Sequence, residues 1–310
     1  MNEKSKRIVK VEIKILEIFI ILILLLILNN IVNPSKLVST YYRLSKFGTR
    51  LEYIYTYPGK TKYDSIEYKD EESAFGKFKI WFPDESDDKK YPLIVMCNGT
   101  YMHYEIYEPL FEHFASWGFV IVGNNDRFSG NGESTIKSLE LALKENDNPE
   151  SKLYNKIDAT KIGVLGHSRG GAAIYNAINN FEEGKIFKSI FAVSPVHQEM
   201  SKSNLCYYEY KDVNVPMMII ASTGDKDAKN FMPYEKLKKM FDTSKSNNII
   251  IARRNRVNHG EILVRTSGYC TAWFLYTLCD DEMAKSVFFG DSPDIIDNMF
   301  WQDFKFRWGV

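Results

Sequence analysis

The chain has 310 residues, with 40 basic and 40 acidic side chains and a formal net charge of zero. That balance, with no basic block beyond the first few residues, argues against a nucleic-acid binder. Its four cysteines, Cys97, Cys206, Cys270 and Cys279, form no C-x-x-C pair, which argues against a zinc site or a disulfide scaffold. Nothing in the middle of the chain reads as a linker, so one large α/β domain is expected.

Residues Ile15 to Val32 form an apolar stretch broken only by Glu17, Asn29 and Asn30 and preceded by Lys4, Lys6, Arg7, Lys10 and Lys14. The pattern reads as a membrane-targeting segment, an uncleaved transmembrane anchor being favoured over a cleaved signal peptide or a buried helix. Lys36, Arg43, Lys46 and Arg50 follow it and blunt the charge asymmetry that would set orientation; an exported catalytic domain is the reading adopted. The expected organisation is a basic tip and anchor over residues 1–40 and a catalytic domain over residues 41–310.

Leu51 to Tyr57 and Phe75 to Phe82 read as an antiparallel edge. Pro92 to Cys97, Gly118 to Val122, Lys161 to Leu165, Lys188 to Val193, Pro216 to Ala221 and Asn247 to Ala252 are short apolar runs of the kind buried in parallel sheets. Helical patterns fall between most of them; one, from Tyr104 to Trp117, carries an apolar stripe and ends at Gly118. The prediction is a mostly parallel sheet of about eight strands with helices on both faces and ligands beyond the strands' C-terminal ends.

The chemistry centres on KIGVLGHSRGG, Lys161 to Gly171, where a strand pattern runs into Gly166, His167, Ser168, Arg169 and Gly170 and then into the helical spacing of Ala172, Ala173, Ile174, Ala177 and Ile178. This is a G-x-S-x-G turn, which holds a serine hydroxyl clear of the backbone as a nucleophile; an ordinary Gly-rich strand-helix turn is the bland alternative. Of five histidines, His259 lies just past the last predicted strand and before a long helix, Glu261 to Leu278, and is the expected base. His113 falls on the exposed side of its predicted helix and His167 inside the turn, so both read as structural. His103 and His197 read as loop residues that line the pocket or face solvent. The acid should follow the serine and precede the histidine. Asp225 ends the strand PMMIIASTGD and is preferred; Asp227, two residues on, stays open. The oxyanion needs two backbone donors, assigned to Arg169 and Thr100, with Tyr101 as the alternative to Thr100.

With these residues in place the sequence resembles the α/β-hydrolase superfamily. Within it the similarity is to the cutinase-like and poly(ethylene terephthalate) hydrolase group and its dienelactone-hydrolase-like relatives, over roughly Phe75 to Gly290. The pieces that carry it are NGTY, FASWGFVIVG, GHSRGG, VPMMIIASTGD, and NHG followed by TAWFLYTLCDD. The resemblance implies Ser168 as nucleophile, Asp225 as acid, His259 as base, Thr100 and Arg169 as oxyanion donors, and neither metal nor organic cofactor. The chain departs from the group where Arg169 replaces the usual Met after the nucleophile, where SPVHQEM puts Glu199 at the place of an aromatic clamp, and where no cysteine flanks the acid or the base.

The sequence therefore reads as a membrane-anchored serine ester hydrolase, single-pass, with its catalytic domain outside the cytoplasm and a small-molecule or lipid-like ester as substrate. Two rivals remain: an envelope acyltransferase using the same triad, and a non-catalytic hydrolase fold serving as a binding module.

Overall fold

A computed structural model describes residues 3–32, 47–70, 75–85 and 88–309; within the first of these the side chains of residues 3–9, 11, 27 and 29–32 are not described. The chain divides into two compact units, Met1–Lys36 and Leu37–Val310. The first contains a helix, α1 (Glu3–Val32). Many of its apolar side chains are exposed, among them Ile18, Phe19, Leu24 and Leu26. Among the described residues no helix is long and apolar enough to cross a membrane, in contrast to the expected transmembrane anchor. Lys36, Arg43 and Lys46, which bear on orientation, lie outside the described residues, as does the expected boundary near residue 40.

The second unit is built on a nine-stranded sheet of order β1-β2-β4-β3-β5-β6-β7-β8-β9. Its strands are β1 (Tyr63–Lys69), β2 (Lys77–Pro83), β3 (Tyr91–Cys97), β4 (Val120–Asn124), β5 (Ile157–His167), β6 (Ser189–Val193), β7 (Met217–Ser222), β8 (Asn248–Arg254) and β9 (Trp301–Trp308). The run from β4 through β3, β5, β6 and β7 to β8 is parallel, and β1, β2 and β9 are antiparallel. Every residue of β3, β4, β6 and β7 is buried, because helices cover both faces. Each of the six apolar runs expected as parallel strands falls on one of β3 to β8, four of them beginning one or two residues before the strand does.

Three expectations are corrected. Leu51 to Tyr57 lies in a helix, α2 (Arg50–Thr56), where Thr49 caps the N-terminus and Glu52, Tyr55 and Thr56, at helical spacing, are buried. The antiparallel partner of β2 is instead β1, whose alternating polar and apolar residues suit an edge strand. The long helix after His259 is two: α8 (Glu261–Arg265) ends at Thr266, whose φ of −123° is not helical, and α9 (Ser267–Cys279) follows. His113 is 4% exposed, not on an outer face: α3 (Tyr104–Ser116) packs it inward, 2.9 Å from the Thr271 hydroxyl. Strand β9, past the last run recognised in the sequence, closes the far edge. The remaining α-helices among the described residues are α4 (Glu133–Asp147), α5 (Arg169–Asn180), α6 (Gln198–Ser203), α7 (Tyr234–Thr243) and the short α10 (Glu282–Lys285) and α11 (Asp294–Asp297).

Candidate active site

Strand β5 ends at His167 and α5 begins at Arg169, so the whole reversal falls on Ser168. Its φ of 56° and ψ of −119° are far from the ordinary regions of an L-residue. The turn is held open by hydrogen bonds: Ser168 N–H donates to the Val193 carbonyl at 2.9 Å, and the Ser168 carbonyl accepts from Gly171 at 2.9 Å and Val196 at 3.3 Å. It is also crowded. A Cβ on Gly170 would lie 2.0 Å from the Cys97 carbonyl oxygen, so only glycine lets α5 approach β3 this closely. Ser168 stays 9% exposed at the first turn of α5, whose free N–H groups and dipole favour negative charge beside it.

His259 sits on the loop between β8 and α8. Asn258 and Glu261 bracket it with reciprocal bonds: Asn258 N–H donates to Glu261 Oε2 at 3.0 Å, and Glu261 N–H to Asn258 Oδ1 at 2.9 Å, the pattern of a capping box. Its Nδ1 lies 2.5 Å from Oδ1 of Asp227. Asp225, the preferred acid of the sequence reading, is not there: its side chain is 84% exposed and pairs with Lys229 at 2.8 Å. The reason is local. The chain turns helically straight after Gly224, and two positions apart on such a turn is about 200° of rotation, so Asp225 and Asp227 point to opposite sides.

Asp227 is fully buried and begins a single π-helical turn, Asp227–Phe231. Its second oxygen, Oδ2, accepts from the Ser194 hydroxyl at 2.5 Å and from Ser222 N–H at 2.9 Å. Burial alone would raise the carboxyl pKa; the hydrogen bond and charge of His259, with the Ser194 and Ser222 donors, outweigh it and hold Asp227 below its ordinary value. Ser194 was not singled out in the sequence. It follows the last residue of β6 with a φ of 42°, and a serine at a strand's C-terminal end beside a buried carboxylate is the signal that could have marked it.

Two rings fix the imidazole plane. Phe231 lies 4.4 Å and His167 4.8 Å from it, centroid to centroid. His167 Nε2–H donates to the His259 carbonyl oxygen at 3.0 Å, tying the residue before Ser168 to the His259 loop. Burial, with the adjacent His259 charge, pushes the His167 pKa down to about 3, so it stays neutral. His103 faces Glu105 at 3.4 Å at the start of α3. His197 accepts from Met200 N–H at 3.3 Å and caps α6. It also lines a cavity of about 170 Å³ with Glu199, Lys236 and Tyr210.

The loop after β3 is pinned on both sides of Thr100. Gly99 N–H donates to the Tyr107 hydroxyl at 3.0 Å, and Tyr101 N–H donates to the Arg127 carbonyl at 2.8 Å. Tyr101, the alternative donor, therefore has its amide occupied. Among the described residues the Thr100 amide has no backbone acceptor, and the Arg169 amide, at the first position of α5, is one that a helix leaves unpaired.

Comparison with known proteins places the chain in a family. A family model described as PET hydrolase-like matches residues 57–299. Among curated proteins the chain is similar to cutinase est1 of Thermobifida alba, 27% identical over 154 residues, which are 49% of this chain and 48% of that one. It is also similar to a bis(hydroxyethyl) terephthalate hydrolase of Streptomyces coelicolor, 24% identical over 159 residues, 49% of this chain and 46% of that one. The chain spans about half the length of the curated relatives it matches.

Proposed function

The chain belongs to the PET hydrolase-like family, and on that premise we propose that it is a serine carboxylic ester hydrolase whose triad is Ser168, His259 and Asp227. The observation that carries the reading is the buried Asp227–His259 pair at 2.5 Å, on a loop hydrogen-bonded to the residue preceding the strained Ser168. The names of the relatives, cutinase and bis(hydroxyethyl) terephthalate hydrolase, point the same way for the substrate class.

In this reading His259 Nε2 removes the Ser168 hydroxyl proton as Oγ attacks the ester carbonyl. The carbonyl π pair moves onto oxygen, where the Thr100 and Arg169 amides stabilise it. Collapse expels the alkoxide, which takes the proton from His259 and leaves an acyl-Ser168. Water, deprotonated by the same imidazole, then attacks the acyl carbonyl and releases the acid and the free serine. Asp227 remains ionised throughout, keeping the proton on Nδ1 and stabilising the imidazolium.

Labelling with a fluorophosphonate and turnover of a chain-length series of p-nitrophenyl esters test the proposal. Ser168→Ala should abolish labelling and lower kcat by roughly 10⁴ to 10⁶. Labelling that persists at another serine removes the assignment.

We further infer that the N-terminal unit holds the enzyme at a membrane with the catalytic unit outside the cytoplasm. The support is the apolar run Ile18 to Leu28 and the exposed apolar side chains of α1; against it stands the absence, among the described residues, of a helix long and apolar enough to span. Carbonate washing of membranes from producing cells separates the cases, since release of the full chain into the wash removes the anchor.

A further inference from the structure

Arg169 follows the nucleophile directly, yet among the described residues its side chain has no acidic partner. Among the described residues it forms no ion pair, and its Nε is buried without a hydrogen-bond partner. A guanidinium stays charged at every accessible pH, and leaving one of its donors buried and unpaired is unfavourable. The surroundings nevertheless hold it in place. The guanidinium carbon lies 5.8 Å from the ring of Phe128, which is itself 52% exposed and meets Tyr101 edge-on at 5.2 Å. Beneath, a Cβ on Gly130 would come within 2.7 Å of Nε, so the absent side chain makes the space the arginine occupies. A cation held by packing therefore stands one residue from the attacking oxygen, against the ring of Phe128, which in turn meets Tyr101 beside Thr100.

We propose that Arg169 recognises a carboxylate on the substrate, and that the enzyme prefers half-esters of dicarboxylic acids, whose free carboxylate lies a few bonds from the scissile carbonyl. The proposal rests on Ser168 being the nucleophile. The chemistry is self-consistent: the first hydrolysis of any diester of a dicarboxylic acid yields such a half-ester, so the reaction that supplies this substrate is a diester hydrolysis. The guanidinium fork matches a carboxylate in two parallel N–H···O bonds, which an unbranched apolar residue at this position could not make.

The test compares two p-nitrophenyl esters of the same shape, that of terephthalate, which carries a free carboxylate, and that of terephthalamic acid, which carries an uncharged amide. The wild-type kcat/KM should favour the carboxylate by about ten- to a hundred-fold, the factor that a charge-assisted hydrogen bond provides. Added salt should shrink that ratio. Arg169→Gln should bring it to about one, and Arg169→Lys should keep an intermediate value. A wild-type ratio near one, or a ratio that Arg169→Gln leaves unchanged, overturns the proposal.

If the variants melt early, wild-type enzyme still decides: terephthalate should compete with a neutral ester far better than terephthalamide does, and equal inhibition overturns the proposal. Ser168→Ala separates the two readings. Terephthalate bound to that variant in saturation-transfer NMR, with neither ester hydrolysed by the wild type, would sink the hydrolase reading and leave the anion site standing.

Discussion

Asp227 Oδ1 lies 2.5 Å from His259 Nδ1 while Asp225, two residues earlier, reaches solvent beside Lys229. Asparagine at position 227 permits the wrong imidazole tautomer, which in a serine-protease triad costs about 10⁴ in kcat. Asp227→Asn should therefore cripple ester turnover, and Asp225→Asn should leave kcat within a few fold and Tm unchanged. Side-by-side assays with the same ester decide; the reverse ranking would return the acid to Asp225.

The difference between these aspartates explains what could and could not be read in the sequence. The inner strands were legible because a strand covered on both faces must be apolar almost throughout, as Pro92 to Cys97 and Met217 to Ala221 are. The sharp turn at Ser168 and the position of His259 past β8 were legible because glycines and chain order constrain them. Asp225 and Asp227 both follow the apolar run, and the choice depends on where the helical turn starts, which composition does not encode. The segment Leu51 to Thr56 failed for a related reason: two of its buried positions are Glu52 and Thr56, so the apolar pattern that would have marked a helix is missing.

The Ser194 hydroxyl donates to Asp227, the acid of the proposed triad. Removing that hydroxyl deletes a hydrogen bond to a charged carboxylate, worth about 1.5–3 kcal/mol. Ser194→Ala should lower kcat by roughly ten-fold or more with KM little changed, and raise the pKa of Asp227 toward the ordinary carboxylate range. The folded-state depression of that pKa contributes stability above about pH 4 that is lost as pH falls through the lower folded value. Acid unfolding of Ser194→Ala should therefore begin at higher pH than that of the wild type. Coincident acid transitions and an unchanged kcat would assign Ser194 no such role.

His167 and His113 both stay neutral when folded, burial pushing them down to about 3 and about 4. An unfolded histidine titrates near pH 6.5, so between these values the unfolded chain binds more protons. Stability from each is complete above about 6.5 and is lost as pH falls, by up to about 1.4 kcal/mol per pH unit for each histidine. Urea unfolding between pH 6.5 and pH 4.5 should show this slope, and His113→Gln should remove about half of it. A flat profile in the wild type would show that neither ring is held neutral.

Arg254 ends β8, five residues before the base, and is 2% exposed. Glu52 Oε1 meets its Nη2 at 2.6 Å, and Asn298 donates to the other Glu52 oxygen at 2.7 Å, so the helix α2 is joined to the strand that launches the His259 loop. Phe300 lies 4.8 Å from the guanidinium, adding a cation-π contact. Burial raises the Glu52 carboxyl pKa even against the charge of Arg254, a sign of how costly this pair is to desolvate. Such a pair is a weak source of net stability, but breaking it leaves an uncompensated charge at a cost of about 3–5 kcal/mol. Glu52→Ala should accordingly lower Tm sharply, and should lower kcat even below its melting temperature, because the Arg254 carbonyl also accepts from Thr223 N–H, at 3.0 Å, just ahead of the Asp227 turn. The double variant Glu52→Leu/Arg254→Met removes both charges and should recover most of the lost stability. If it is no more stable than Glu52→Ala, the single-variant loss comes from packing of α2 and not from a stranded arginine.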